Sequence, residues 1–233
     1  MPSPAEQKPF KMRLPHIDND ELVKRAQEHG RITGWPEVMK TPSRYGENLF
    51  YGTVPEIYGA DIDYWSVLMA LILGIDPKTP PEEVMKRGVP VDQPKTEPYK
   101  RYMLMSSWLH CVHMRNGWTR TIMGGWASEG AGITRTKLLL LDLPDSDIWT
   151  DDERLTLKFV KAAFEWEMTD ELWDAAAAAW TPEWICAVMG LLVHYYGYSL
   201  RFSMMGLDRV VGLTADKTIA EVIGLAGPSP KES

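Results

Sequence analysis

The sequence predicts an all-α protein, and three observations carry that expectation. Apolar residues recur at helical spacing, capping residues stand where the periodic segments begin, and no run alternates apolar and polar residues as a half-buried strand would. With 233 residues, 45% hydrophobic and 24% charged, the chain has the composition of a globular protein and the length for one sizeable core.

Taken in order, residues 1–45 read as an arm with a short polar helix, Asp18 to His29, closed by Gly30. Gly34 to Arg44 is punctuated by proline. Asn48 to Gly74 reads as helix with a break near Pro55 and Gly59, and Ile62, Trp65, Leu68, Met69 and Ile72 mark one buried face. Thr79-Pro80-Pro81-Glu82 combines an N-cap, prolines in the first turn and a capping-box Glu, so a short helix should run to Gly88. A Pro-rich linker over residues 88–98 leads to a central helix, Tyr99 to Asn116, and a Gly-interrupted helical stretch, Trp118 to Ala131. Thr150 with Glu153 opens Asp151 to Met168, Thr169 caps Asp170 to Trp180, and Thr181-Pro182 starts the longest helix, ending at Gly206. The helical domain spans 46–212, followed by a tail, 213–233.

The formal charge of −7, with no basic stripe, argues against nucleic acid, whose phosphates are bound by clustered Lys and Arg. Cys111 and Cys186 are too few for a disulfide framework. Met1 to Phe10 has no apolar run resembling a signal peptide, and the longest apolar stretch, Ile185 to Val193, stops at His194. A cytoplasmic protein with reduced thiols and no membrane association is the expectation. Ten tryptophans and thirteen methionines suit either helix packing or a pocket for an aromatic or terpenoid-like ligand.

Chemistry concentrates in Trp108-Leu109-His110-Cys111-Val112-His113-Met114-Arg115-Asn116-Gly117-Trp118 and just beyond it. At i, i+3, His110 and His113 should share one side of the helix and can serve as general base and acid. Arg120 can hold a carboxylate, phenolate or enolate. Ionisable groups beside an apolar helix are costly unless used. His194 and Tyr195 offer a second imidazole and a phenol, or else a satisfied core pair. Trp108, Trp118, Trp126 and Tyr198 are candidate substrate-binding walls. His110, His113 and His194 could instead bind Zn or Fe, although i, i+4 is the commoner helical spacing and the central helix has no acidic partner. Cys111 lacks a well-aimed base, since adjacent helical residues point about 100° apart.

Several ordered elements resemble the carboxymuconolactone decarboxylase / alkylhydroperoxidase D-like (AhpD-like) family. They are Asn48-Leu49-Phe50 before Pro55, the turn Ala131-Gly132-Ile133-Thr134, the acidic helix start Asp151-Asp152-Glu153-Arg154, Leu172-Trp173, and Leu192-Val193-His194-Tyr195 with Gly206 twelve residues after His194. The likeness covers roughly residues 45–212 and is closest over 100–207. It implies an AhpD-like helical bundle and a homo-oligomer (dimer, trimer or hexamer) with pockets often completed by a neighbouring subunit. The family carries Cys, Glu and His at the end of the central helix, and those positions here hold Gly117, Arg120 and Gly124. Gly117, Gly124 and Gly125 leave room there for a substrate or a closely packed helix.

Without those residues, thiol peroxidase chemistry through Cys111 loses its resolving partner and stands as a third reading. The resemblance implies instead a lyase, decarboxylase or isomerase needing no cofactor. It would act by proton transfer on a small aromatic or cyclic acidic compound, in the manner of aromatic compound catabolism. His113 or His110 would carry the proton, Arg120 would anchor the anion, and His194 with Tyr195 would assist. The alternative is a non-catalytic oligomer that binds a hydrophobic ligand or a partner protein.

Overall fold

In the computed structural model, residues 55–88, 96–114 and 131–205 are described. Of these, 74% are helical and none lies in a strand, so the fold is all-α. The helices are α1 (Pro55–Leu73), α2 (Pro81–Gly88), α3 (Glu97–Trp108), α4 (Arg135–Leu139), α5 (Asp151–Glu165), α6 (Asp170–Ala179) and α7 (Pro182–Met205). A π-helical turn, Leu109–His113, prolongs α3. The boundaries expected at 45 and 212, the Asp18 to His29 helix, the 118–130 stretch and Gly206 lie outside the described residues.

Local chemistry explains most ends. Thr150 and Glu153 form the expected capping box: the Glu153 amide donates to Thr150 Oγ1 at 3.3 Å, and the Thr150 amide donates to Glu153 Oε2 at 2.9 Å. Thr169 accepts from the Leu172 amide and Thr181 from that of Trp184. At α2 the cap is Pro80 rather than Thr79, and the Pro80 carbonyl receives the Val84 amide. α1 runs unbroken through Gly59, with Pro55 as its first residue, where the missing N–H costs nothing. It closes in a Schellman turn. Gly74, at φ +69°, donates to the Leu71 carbonyl, and Ile75 donates to that of Ala70.

Two helices end earlier than their patterns suggest. α5 stops at Glu165 instead of Met168 because Trp166 turns left-handed at φ 62°, letting the Glu167 amide reach the Ala162 carbonyl. The central helix leaves α geometry after Trp108. There the Met114 amide bonds the Leu109 carbonyl at 2.8 Å, five residues back.

α1 packs on α7 and α2, and α3 lies against α5, α1 and α7, while α6 covers α5. Trp108, Met105, Leu157, Phe159, Val188 and Leu191 are among the buried residues where these helices meet. Ion pairs stitch the periphery: Arg101–Asp152 joins α3 to α5, Lys137–Glu153 joins α4 to α5, and Arg201–Asp61 joins α7 to α1. Among the described residues, no single helix is long and apolar enough to cross a membrane. α6 and α7 reach that length and apolarity only as a pair, bent by 113° at their junction.

Candidate functional site

The π turn decides where the histidines go. One extra residue per turn rotates the residues beyond it around the helix axis, so His110 and His113 part company instead of sharing a side. His110 is fully buried, whereas His113 is exposed. The His113 ring stacks on Trp108 with centroids 5.6 Å apart, and also meets Phe164 and Tyr196. His110 meets a different side chain of α7, the edge of Tyr195, at 5.7 Å.

His110 is the most unusual polar group described. Its Nδ1 lies 3.5 Å from Ser199 Oγ, and its Nε2 has no hydrogen-bond partner among the described residues. Burial drives its pKa down to about 3, so the imidazole is neutral near physiological pH. If Ser199 donates to Nδ1, the proton of the neutral ring sits on Nε2, which becomes a buried donor awaiting an acceptor.

Beside it lies a chain of hydroxyls that joins three helices. Trp65 Nε1, from α1, donates to Tyr195 Oη at 2.9 Å. The Tyr102 hydroxyl, from α3, hydrogen-bonds with Tyr195 and Ser106. Burial first, then the neighbouring Tyr195, pushes Tyr99 and Tyr102 well above the usual phenol range. Both are therefore phenols, not phenolates, at neutral pH.

His194 sits on the outer side of Tyr195, partly buried among Tyr64, Tyr195 and Tyr198 at 5.5, 5.8 and 6.1 Å. Burial lowers its pKa; the Asp61 carboxylate pulls it back up and Arg201 pushes it down again. Tyr195 thus stands between His110 and His194, with its ring edge-on to Tyr198.

Of the residues singled out from sequence, the structure gathers His110, Tyr195, His194 and Tyr198 into one neighbourhood. His113 instead meets Trp108, Phe164 and Tyr196. Trp108 itself is core: it is buried, and its indole N–H has no partner among the described residues. Arg120, Trp118 and Trp126 lie outside the described residues, as do Gly117 and Gly124. Cys111 is buried and Cys186 exposed. Among the described residues, no three His, Cys, Asp or Glu side chains converge as a metal site would require.

Sequence reasoning missed Trp65, Tyr99, Tyr102, Ser106 and Ser199 as members of the cluster. A signal was present. Tyr99, Tyr102, Ser106 and His110 recur at i, i+3, i+7 and i+11, a polar stripe along an otherwise apolar helix, and Ser199 stands one turn after Tyr195.

No protein-family model, curated protein or solved structure matches the chain.

Proposed function

We propose that the chain is a cytoplasmic, cofactor-independent enzyme of the lyase, decarboxylase or isomerase type, acting by proton transfer on a small aromatic or cyclic acidic compound. The observation that supports this reading is a buried, neutral imidazole beside protonated tyrosines, its Nε2 without a partner among the described residues. A group held at that desolvation cost is suited to a partner that arrives with the substrate.

The residue roles shift accordingly. His110, being weakly basic, serves as the neutral donor that polarises a carbonyl or steadies an enolate, rather than as the proton acceptor. Tyr195, linked to Tyr102, is placed to pass a proton along the hydroxyl chain. His194, more accessible, is the group that exchanges protons with water. Arg120 is retained as the anion anchor on its chemistry alone.

The second reading is a non-catalytic oligomer that binds a hydrophobic ligand or a partner protein, and the ten tryptophans and thirteen methionines suit it equally. The two readings part in one experiment. Small aromatic and cyclic acids and phenols are screened by thermal shift, and stabilising compounds are then assayed for turnover in wild type, His110→Leu and Tyr195→Phe. The proposal expects turnover that falls about a hundredfold in His110→Leu, the usual scale for loss of one oxyanion donor. A stabilising compound that is never converted would assign the site to binding.

A further inference from the structure

α1 and α7 meet along a row of paired side chains that ends in an ion pair. Trp65 bonds Tyr195, the Tyr64 ring meets His194 at 5.5 Å, and Arg201 Nη1 donates to Asp61 Oδ2 at 2.7 Å. Neither helix carries another Lys or Arg, and the one other Asp or Glu on α7 is Glu183, at its far end. The pair is unevenly sheltered. The Arg201 side chain keeps 31% of its exposure and that of Asp61 15%, so solutes reach the guanidinium more readily than its carboxylate partner.

Aromatic rings stand beside this cation. His194, Tyr198 and Arg201 are spaced by four and three residues, which puts them on one face of α7, and Asp61 and Tyr64 share a face of α1 in the same way. The His194 ring lies between Tyr64 and Tyr198, at 5.5 and 6.1 Å, and Tyr64 is 48% exposed. Tyr198 in turn meets Tyr195 at 6.4 Å, so this shelf of rings adjoins the cluster around His110.

We infer that Arg201 anchors the carboxylate of the substrate, and that Asp61 holds the guanidinium as a stand-in which the substrate displaces. The inference rests on the reading that the chain takes an aromatic or cyclic acid. The occupant already present names half of the ligand: a guanidinium that receives one carboxylate at 2.7 Å has the fork geometry to receive another. The rings name the other half, since a flat apolar ring packs favourably against Tyr64, His194 and Tyr198 while its acid group reaches the cation. Arg201 thus fills, among the described residues, the role given to Arg120 on chemistry alone.

The test is calorimetric titration of the full chain with benzoate and with its neutral counterpart, benzamide, while NMR follows the His194 ring signals. Benzoate should bind the wild type, shift those signals and outcompete benzamide. Arg201→Gln should weaken benzoate binding about tenfold or more and leave benzamide unchanged. Asp61→Asn should tighten benzoate binding about tenfold, because an anchor no longer held by an internal carboxylate is open to the external one. That gain separates the inference from a bridge that only fastens α1 to α7, whose loss would lower stability and improve nothing. Should Arg201→Gln fail to fold, Arg201→Lys replaces it and should also bind benzoate more weakly, having lost the fork. A wild type indifferent to benzoate, binding that ignores the Arg201 change, or an Asp61→Asn variant that binds no better overturns the inference. Arg201-dependent benzoate binding with no acid ever converted would leave it standing and sink the enzyme reading. Turnover lost in His110→Leu but unaltered in Arg201→Gln would do the reverse.

Discussion

His110 is under a strong physical constraint, being fully buried with an Nε2 that has no partner among the described residues. Its folded pKa of about 3 lies below the ordinary 6.5, so the unfolded chain binds a proton over a range where the folded chain does not. The stability gained by keeping the ring neutral is therefore complete above about pH 6.5 and is lost as pH falls from there toward 3. Urea unfolding should show stability falling by up to about 1.4 kcal/mol per pH unit across that window from this one group. His110→Leu should flatten the slope and remain folded, because it removes a polar atom with no partner among the described residues. A variant as steeply pH-dependent as the wild type would mean that His110 is hydrated. Trp166 is the second residue under constraint. It holds a left-handed φ of 62° while 94% exposed, so replacing it with glycine removes strain and gives up little packing. Trp166→Gly should gain about 1 kcal/mol, or roughly 2–4 °C in Tm for a chain of this size. A lower Tm would show that the indole is held by contacts worth more than the strain.

At the scale of elements, much was legible because capping is local. Thr150, Thr169 and Thr181 announced α5, α6 and α7, since a side-chain oxygen three residues before an amide needs no tertiary partner to be favourable. Thr150→Ala should accordingly cost about 1 kcal/mol in chemical denaturation. Glu153 also belongs to this scale. Burial pushes its carboxyl up, but the hydrogen bonds and charge of Lys137 and Thr150 outweigh that and hold it below the usual carboxylate range. Its stabilising contribution is present above the ordinary Glu pKa and fades as pH falls through the lowered one. The π turn was not legible. A shift from four-residue to five-residue hydrogen bonding changes no side chain, so Leu109 to His113 reads as ordinary α-helix. That single register change buried His110 and exposed His113, against the expectation that they act as a pair. The left-handed stop at Trp166 was hidden for a related reason: glycine would have signalled it, and tryptophan does not.

At the scale of the whole molecule, the site depends on how α1, α3 and α7 meet. His194 and Tyr195 stood out in sequence because they interrupt an apolar run. Trp65 and Tyr102 did not, because the indole N–H and the phenol meet Tyr195 only once three helices are packed together. Gly190 sets that packing, since a Cβ there would lie 3.2 Å from Tyr64 Oη and 3.3 Å from Leu68. Gly190→Leu should force α1 from α7 and break the Trp65–Tyr195 bond, seen as a red shift in tryptophan emission together with lost stability. An unchanged emission would show that the contact is soft and that the cluster does not depend on it.

In the proposed function, His110 offers a neutral Nε2, without a partner among the described residues, to an incoming ligand. Nitrogen-15 NMR of the imidazole, recorded from pH 7 to pH 4 and then during titration with the aromatic or cyclic acid that most stabilises the chain, reads it directly. The ring should stay neutral down to pH 4, protonated on Nε2, and its Nε2 resonance should shift on binding. A ring that titrates near pH 6.5, or an Nε2 signal indifferent to a compound that stabilises the protein, would contradict it.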